Sequence, residues 1–222
     1  MSKKIAICQP YFAPHLAYFK LINAVDIFVS YDDVNYITRG WINRNKIIVN
    51  GDEKIFTIPL KHQSQFKKIN EIEIDWNNRD IGKLFKTLKL NYSKSPFVED
   101  VMQIISNVFD KKPELISTLA LVSIKEFCKY LDIETEIKES SVERYEKTDG
   151  RAQNLINICK SENANHYINP IGGVELYCKD EFRQQGVDLS FLDGSSGLSI
   201  IDVCMNTPKE EIQKQLKEYR LL

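Results

Sequence analysis

The order of strand-like and helix-like segments is the feature that most constrains how this chain can fold. Residues 5–8 and 26–30 are short apolar runs typical of buried strands, and a helical pattern lies between them. The last third alternates again, with helical patterns at residues 151–162 and 174–185 and strand patterns at residues 166–168 and 189–192. Such alternation predicts a largely parallel sheet that is covered by helices on both faces.

Two further patterns interrupt this alternation. Asn50-Gly51 separates the strand-like residues 46–49 and 55–59, which predicts a β-hairpin, and residues 34–37 form a candidate extended piece. The other predicted elements are helices at residues 80–90, 96–109, 113–131, 199–205 and 208–219, and a strand at residues 134–138. We therefore expect one α/β domain over residues 1–222, with a mostly parallel Rossmann-like sheet, an N-terminal β-hairpin and a helical insertion at about residues 79–131.

Charge and cysteine usage exclude several classes of protein. The 30 basic and 31 acidic residues nearly cancel, which argues against a nucleic-acid partner because such a partner requires a basic face. Five cysteines without CxxC spacing argue against a disulfide framework, and His15, His62 and His166 are too scattered to predict a metal site. No apolar run approaches the ~18 residues of a membrane span, and the run at residues 5–8 is too short for a signal peptide. We expect a cytoplasmic protein.

The loop after the first predicted strand is the first candidate site. Ligands of open α/β sheets bind at the carboxyl ends of strands, where Gln9, Tyr11 and His15 follow in sequence. Gln9 can donate and accept hydrogen bonds, and His15 can titrate near neutral pH. The alternative is a turn stiffened by two prolines. The segment 14–18 also loosely resembles the HxGH opening of nucleotidylyltransferases and pantothenate synthetase, with Ala17 and Tyr18 in place of Gly and the second His. That similarity implies ATP activation of a carboxylate.

Adjacent carboxylates follow the second predicted strand. Asp32 and Asp33 lie at its carboxyl end, where one could serve as a general base or bind a sugar hydroxyl or an amine. Neighbouring residues of an extended chain point to opposite faces, so the two are expected to have different roles. The alternative is an acidic turn that caps a neighbouring element.

A cluster of basic, aromatic and amide side chains comes next, at Tyr36, Arg39, Trp41, Asn43 and Arg44. Arginine binds phosphate through two parallel hydrogen bonds, and an indole provides a flat surface for a base or sugar ring. Because the rest of the chain is neutral, this mixture favours a small phosphorylated ligand over a nucleic acid. The alternative is a solvated basic loop.

The segment Asn169-Pro170-Ile171-Gly172-Gly173, followed by Tyr177, is the last candidate site. A strand, a turn and two glycines before a helix can direct backbone N–H groups at an anion. The segment lacks the GxxxxGK[ST] pattern, so it is not a P-loop. The alternative is a tight turn into a helix.

With these residues in view, the chain resembles the WbqC-like family. The matching stretches include IAICQPYFAPHLAYFKLINAVDIFVSYDDVNYITRGWINRNKI, FTIPL, IKESS, YINPIGG and LSIIDVCMN. The resemblance implies a role in O-antigen or other surface polysaccharide biosynthesis, and a glycyl-transferase role has been suggested for family members. His15 and Cys8 depart from the residues common in the family. The candidate residues on matching positions are Gln9, Tyr11, Asp32, Asp33, Arg39, Trp41, Asn43, Arg44, Asn169, Gly172, Gly173 and Tyr177.

Three functions remain open from the sequence. The first is an N-acyl or N-aminoacyl transferase acting on a nucleotide-linked amino sugar, with Asp32, Asp33 or His15 as the catalytic residue. Its acyl donor would be a thioester on coenzyme A or on an acyl carrier protein, or an adenylate formed from ATP. The second is a non-catalytic module that binds a nucleotide sugar for a partner enzyme. The third is an adenylating, nucleotidylyltransferase-like enzyme that forms an amide. The oligomeric state stays open.

Overall fold

The computed structural model describes residues 2–194 and 197–222 and has the predicted mixed α/β class. The strands of the described chain are Lys4–Cys8 (β1), Ile27–Ser30 (β2), Arg44–Val49 (β3), Asp52–Thr57 (β4), Leu60–Lys61 (β5), Glu73–Ile74 (β6), Glu136–Glu139 (β7), His166–Pro170 (β8), Asp188–Asp193 (β9) and Arg220–Leu221 (β10). The helices are Leu16–Asn23 (α1), Arg79–Asn91 (α2), Val98–Asp110 (α3), Ile116–Tyr130 (α4), Ser140–Glu143 (α5), Arg151–Ser161 (α6), Lys179–Gln184 (α7), Ile200–Asn206 (α8) and Lys209–Lys217 (α9).

The main sheet has six strands in the order β10-β9-β8-β1-β2-β7. All neighbouring pairs are parallel except β9 and β10, which confirms the mostly parallel Rossmann-like sheet. The chain runs from β1 to β2 and β7 on one side, then returns to β8 and continues to β9 on the other. The sheet therefore reverses its strand order between β1 and β8, and parallel sheets form their ligand crevice at such a switch point.

Strand β1 shows why the sheet is covered on both faces. Ile5 and Ile7 pack with residues of α6 and α7, whereas Ala6 packs with residues of α1, α3 and α4. Successive strand residues point to opposite faces of the sheet. A strand that is apolar at every position must therefore be covered on both faces. The two apolar clusters on either side of the sheet satisfy that requirement.

The predicted hairpin is present as the separate two-stranded sheet β3–β4. Its turn residues Asn50 and Gly51 have φ of 54° and 88°. Both values lie in the left-handed region that the favoured two-residue hairpin turn requires, which explains the Asn-Gly pair. The hairpin is tied to the rest of the fold by Asp202, whose carboxylate accepts a hydrogen bond from the backbone N–H of Ile48 at 2.8 Å.

Helices α2, α3 and α4 occupy the stretch predicted as a helical insertion, and their apolar side chains join the cluster that covers the α1 face of the sheet. That residues 1–222 form one domain stays a prediction. Within the part of the chain that the structure describes, no helix is both long enough and apolar enough to cross a membrane.

Several local predictions were wrong at their boundaries. Residues 34–37 contain only an isolated bridge between Asn35 and Lys68. The helix predicted at residues 174–185 begins at Lys179, because the backbone N–H groups of Leu176 and Tyr177 first close a turn onto the carbonyl of Gly173. The short elements β5, β6, α5 and β10 had no periodic signal in the sequence, because two to four residues are too few to show one.

Candidate cleft at the β1–β8 switch point

Two adjoining cavities of about 600 and 700 Å³ open at the carboxyl ends of β1 and β8. They share the lining residues Cys8, Gln9, Ile37, Pro170 and Gly172, so they form two lobes of one cleft. We call the first the apolar lobe; its other lining residues are Pro10, Tyr11, His15, Ala17, Tyr18, Leu21, Gly40, Trp41, Ile42, Ile171, Leu192 and Gly194. We call the second the polar lobe; its other lining residues are Ile7, Tyr31, Val34, Asn35, Arg151, Asn154, Leu155, Tyr167, Asn169, Gly173, Leu176 and Tyr177.

The loop that follows β1 is held rigidly against the hairpin. The carbonyl of Ala13, a residue with φ of 47°, accepts hydrogen bonds from Nδ2 of Asn45 at 2.5 Å and from Oγ of Ser199 at 2.8 Å. The backbone N–H of Phe12 donates to the carbonyl of Ile42 at 3.0 Å. These bonds place the loop over the end of β1 and direct Tyr11 and the start of α1 into the cleft.

His15 stands at the start of α1 with its side chain in the lining of the apolar lobe. Its backbone N–H donates to the hydroxyl of Tyr11 at 3.1 Å, while its ring Nδ1 is buried without a hydrogen-bond partner among the described residues. Burial lowers the pKa of the imidazole below its usual 6.5. The ring is therefore neutral at pH 7 and has a lone pair that can accept a proton.

Cys8 is the cysteine at the junction of the two lobes. Burial raises the pKa of its thiol to about 12. The thiolate, not the thiol, is the reactive nucleophile, so Cys8 is protonated and poorly nucleophilic at neutral pH.

Asn169 and Gly173 form the floor of the polar lobe. Asn169 is 7% exposed, and its Oδ1 accepts a hydrogen bond from the hydroxyl of Tyr167 at 3.0 Å. A Cβ at Gly173 would lie 1.8 Å from Nδ2 of Asn169. A glycine at this position is therefore what allows the buried amide to fit under the turn.

The amino end of α6 lines the polar lobe and was not predicted as part of the site. Arg151 is its first residue, and Asn154 holds the preceding loop by accepting from the backbone N–H of Thr148 at 2.6 Å and donating to its carbonyl at 3.0 Å. The available signal was Gly150 before a predicted helix, since a helix that starts at the carboxyl edge of a parallel sheet faces the crevice.

The structure places Asp32 and Asp33 outside the lining of both lobes, although the sequence analysis names them as candidate catalytic residues. The carboxylate of Asp32 is 3% exposed and accepts from the backbone N–H of Ser141 at 3.0 Å and from its Oγ at 2.6 Å. Asp33 accepts from the hydroxyl of Ser140 and pairs with Lys147. Both carboxylates fasten the end of β2 to α5, which matches the alternative of a capping role.

The basic and amide cluster is also separated from the cleft, apart from Trp41. Arg44 donates from Nε to the carbonyl of Gly40 at 2.7 Å and from its guanidinium to the carbonyl of Arg39, so it closes its own loop. Exposed Arg39 does not line either lobe.

Asn43 and Tyr36 are buried partners. Oδ1 of Asn43 accepts from the Tyr36 hydroxyl at 2.9 Å, and its Nδ2 donates to the carbonyl of Ile58 at 2.8 Å. Trp41 is 44% exposed and lines the apolar lobe with the Arg44 guanidinium 5.4 Å from its ring centre. Of the predicted site residues, the cleft therefore brings together Gln9, Tyr11, His15, Trp41, Asn169, Gly172, Gly173 and Tyr177.

Over residues 2–194 and 197–222, no group of three or more His, Cys, Asp or Glu side chains is arranged to hold a metal ion.

A parallel sheet covered on both faces, with a two-lobed cleft at its switch point, defines an α/β protein with a cleft large enough for a small ligand. Comparison with known sequences identifies the kind: the chain belongs to the WbqC-like protein family, whose model matches residues 9–214. It is 32% identical over 170 residues to the uncharacterized protein Rv1507c of Mycobacterium tuberculosis. The matched region covers 75% of this chain and 72% of that relative. No solved structure matches the chain.

Proposed function

We propose that this protein transfers an acyl or aminoacyl group, such as glycyl, to the amino group of a nucleotide-linked amino sugar used for surface polysaccharides such as O-antigen. The observation that carries the proposal is the cleft itself. Two lobes of different polarity meet at Cys8, Gln9 and Gly172, as a reaction between an apolar and a polar substrate requires. Each lobe has the size of a site for a small molecule or cofactor.

The apolar lobe suits the acyl donor. Pro10, Leu21, Ile37, Trp41 and Leu192 provide hydrocarbon and aromatic surface for the acyl chain or the arm of a thioester. Because water is displaced from such surface, a reactive acyl group bound there is shielded from hydrolysis. The proposal keeps the donor classes that the sequence analysis left open. These are a thioester on coenzyme A or on an acyl carrier protein, and an acyl adenylate made from ATP.

His15 is the group in this lobe best suited to take a proton. The amine of the sugar must lose one proton as it attacks the acyl carbon. A neutral imidazole that lines the lobe can accept that proton, whereas Asp32 and Asp33 are engaged with Ser141 and Ser140. We therefore assign His15 as the general base in place of the acidic pair.

The reaction balances without a redox partner. The sugar nitrogen forms a bond to the acyl carbon, the carbon–sulfur bond of the thioester or the carbon–oxygen bond of the adenylate breaks, and the leaving group departs with its electron pair. The proton from nitrogen moves to His15 and is later returned to the leaving group or to solvent. Gln9 lines both lobes, and in this proposal its side chain hydrogen-bonds the acyl oxygen.

The test is product mass after incubating the purified protein with nucleotide-linked amino sugars and a panel of donors, including acyl thioesters and glycine with ATP. We expect a new amide from at least one pairing. His15→Gln should lower kcat at least 100-fold, in line with the usual contribution of a general base, while leaving KM within a few-fold. His166→Gln is the matched control, because His166 contacts Ser190 at 2.9 Å and does not line the cleft.

A second candidate function is a non-catalytic module that binds a nucleotide-linked sugar for a partner enzyme. The observation that favours it is the protonated state of Cys8 together with the engagement of Asp32 and Asp33 in hydrogen bonds. Tight binding of a nucleotide-linked sugar with no amide formed from any donor would support this candidate and contradict the transferase.

A further inference from the structure

The polar lobe ends at the amino terminus of a regular helix. Helix α6 has 11 residues, begins at Arg151 after Gly150, and has no acidic residue in its first turn and no side-chain hydrogen bond capping it. The first N–H groups of a helix lack partners within the helix, and the aligned peptide dipoles make this end positive. In α6 these effects coincide with Arg151, which lines the lobe.

The charges of the residues that line the polar lobe also favour an anionic ligand. Among the described residues that line it, Arg151 carries the charge at neutral pH, and no aspartate or glutamate is present. Tyr31 and Tyr177 also line this space. Burial raises the pKa of both tyrosines, to about 12 for Tyr31, so both stay protonated and can donate hydrogen bonds.

Asn169 is an independent indication of a ligand. It is 7% exposed, and its Oδ1 is occupied by the hydroxyl of Tyr167. Its Nδ2 has no acceptor among residues 2–194 and 197–222, although it lines the lobe beside Gly173. Nδ2 is therefore free to donate a hydrogen bond to a ligand oxygen in the lobe.

We propose that the polar lobe is a diphosphate subsite, in which Arg151 and the first turn of α6 bind the phosphate oxygens and Nδ2 of Asn169 donates to one of them. This inference rests on the proposed function, and it adds where the nucleotide-linked sugar is anchored. Guanidinium groups bind phosphate oxygens in pairs, and helix amino termini are general anion sites. The sugar then extends from the lobe toward Gln9, Gly172 and the apolar lobe, where the acyl group waits.

The test is isothermal titration of the full-length protein with inorganic pyrophosphate, nucleoside diphosphates and nucleoside-diphosphate sugars at two salt concentrations. We expect Arg151→Ala to weaken binding of each bound diphosphate at least 10-fold and to reduce its salt dependence. Asn169→Asp should weaken diphosphate binding more than Arg151→Ala does, because it places a negative charge beside the phosphates. Arg183→Ala is the matched control, since the exposed Arg183 pairs with Asp180 outside the cleft, and it should bind within twofold of the wild type.

Three outcomes would overturn the subsite. The first is no binding of any of these diphosphates at millimolar concentration, and the second is equal affinity of wild type and Arg151→Ala for them. The third is that glycine, and none of the diphosphates, binds in a way that depends on Arg151. Thermal unfolding of each variant checks that it is folded. Diphosphate binding that depends on Arg151 without any turnover would support the subsite and contradict the transferase. Amide formation with an unchanged KM for the nucleotide sugar in Arg151→Ala would support the transferase and contradict the subsite.

Discussion

The hydroxyl of Tyr167 donates to Oδ1 of Asn169 at 3.0 Å, and the two residues lie two positions apart on β8. Residues two apart in a strand share one face, so the same strand supplies both the amide and the group that orients it. With its oxygen occupied, the amide presents its nitrogen toward Gly173 and the polar lobe. A strand that is buried for most of its length thus ends in an oriented hydrogen-bond donor.

Removing the Tyr167 hydroxyl should release this amide. We expect Tyr167→Phe to lower the free energy of unfolding by about 1 kcal/mol, the usual net value of one hydrogen bond, and to weaken diphosphate binding several-fold. Denaturant unfolding and titration calorimetry measure the two effects. Binding that equals the wild type would mean that Tyr167 does not orient Asn169 for a ligand.

The two glycines after β8 should respond differently to a methyl group. Gly173→Ala places Cβ 1.8 Å from Nδ2 of Asn169 and must displace the amide, whereas a Cβ at Gly172 meets nothing within 4 Å. We expect Gly173→Ala to cost about 1–3 kcal/mol of stability, as overpacking of a filled site does. Gly172→Ala is the control and should stay within about 0.5 kcal/mol. Equal costs for the two variants would contradict the close packing seen here.

The rate of amide formation should report the titration of His15. A general base must be neutral, and burial lowers the pKa of this imidazole below 6.5. The rate should therefore rise with pH as the imidazole loses its proton, with a midpoint below the usual 6.5 of histidine. The pH dependence of kcat in the wild type and in His15→Gln measures this, because the amine of the sugar titrates in both proteins. The same loss of rate on the acid side in His15→Gln would be inconsistent with His15 as the base.

Asp32 should matter for stability more than for chemistry. In Asp32→Asn an amide NH₂ replaces one of the oxygens that accept from Ser141, so one donor loses its acceptor. We expect a loss of about 1–3 kcal/mol and a turnover within a few-fold of the wild type. Exposed Asp149→Asn is the control for the loss of a charge. A stable variant that has lost its turnover would return Asp32 to the catalytic role expected from the sequence.

The contact between Glu162 and Lys138 should make the stability of the protein depend on pH in the acidic range. Burial tends to raise the pKa of Glu162, but hydrogen bonds from Lys138 at 2.7 Å and Tyr145 at 2.6 Å outweigh it and hold that pKa below 4.5. A carboxylate whose pKa is lower in the folded state than in the unfolded state stabilises the protein at pH values above its unfolded-state pKa. That stabilisation is lost as the pH falls through the folded-state pKa. The melting temperature should therefore fall on acidification below about pH 4.5.

Replacing the lysine of this pair tests the same contact. We expect Lys138→Met to lower stability at pH 7 by about 1–3 kcal/mol, because a charged hydrogen bond to a carboxylate only 7% exposed is lost. It should also flatten the acid dependence. Lys83→Met breaks an exposed pair with Asp80 and should cost much less, because solvent screens that pair. Similar losses in both variants would contradict the role assigned to the partly buried pair.

Local patterns predicted the parts of the cleft that follow strands directly. Gln9 and Asn169 come at the ends of β1 and β8, so the parallel-sheet rule alone brought them together. Arg151 was missed because it lies at the start of α6, and no local pattern shows how that helix packs over the cleft. Asp32, Arg39 and Arg44 were grouped with the site on residue type. Asp32 turned out to bind Ser141, Arg44 to close its own loop, and Arg39 to lie exposed.

The sequence by itself determined the elements whose causes are local. Apolar runs specified the buried strands, helical periodicity specified the long helices, and Asn50-Gly51 specified the hairpin turn. Only the tertiary structure decided which polar side chains face the cleft and which serve as fasteners. A carboxylate or guanidinium has the same chemistry in either role, and its role depends on which distant donors and acceptors the fold brings within about 3 Å. Ser141 captures Asp32 for that reason, while Asn169 keeps a donor free at the switch point.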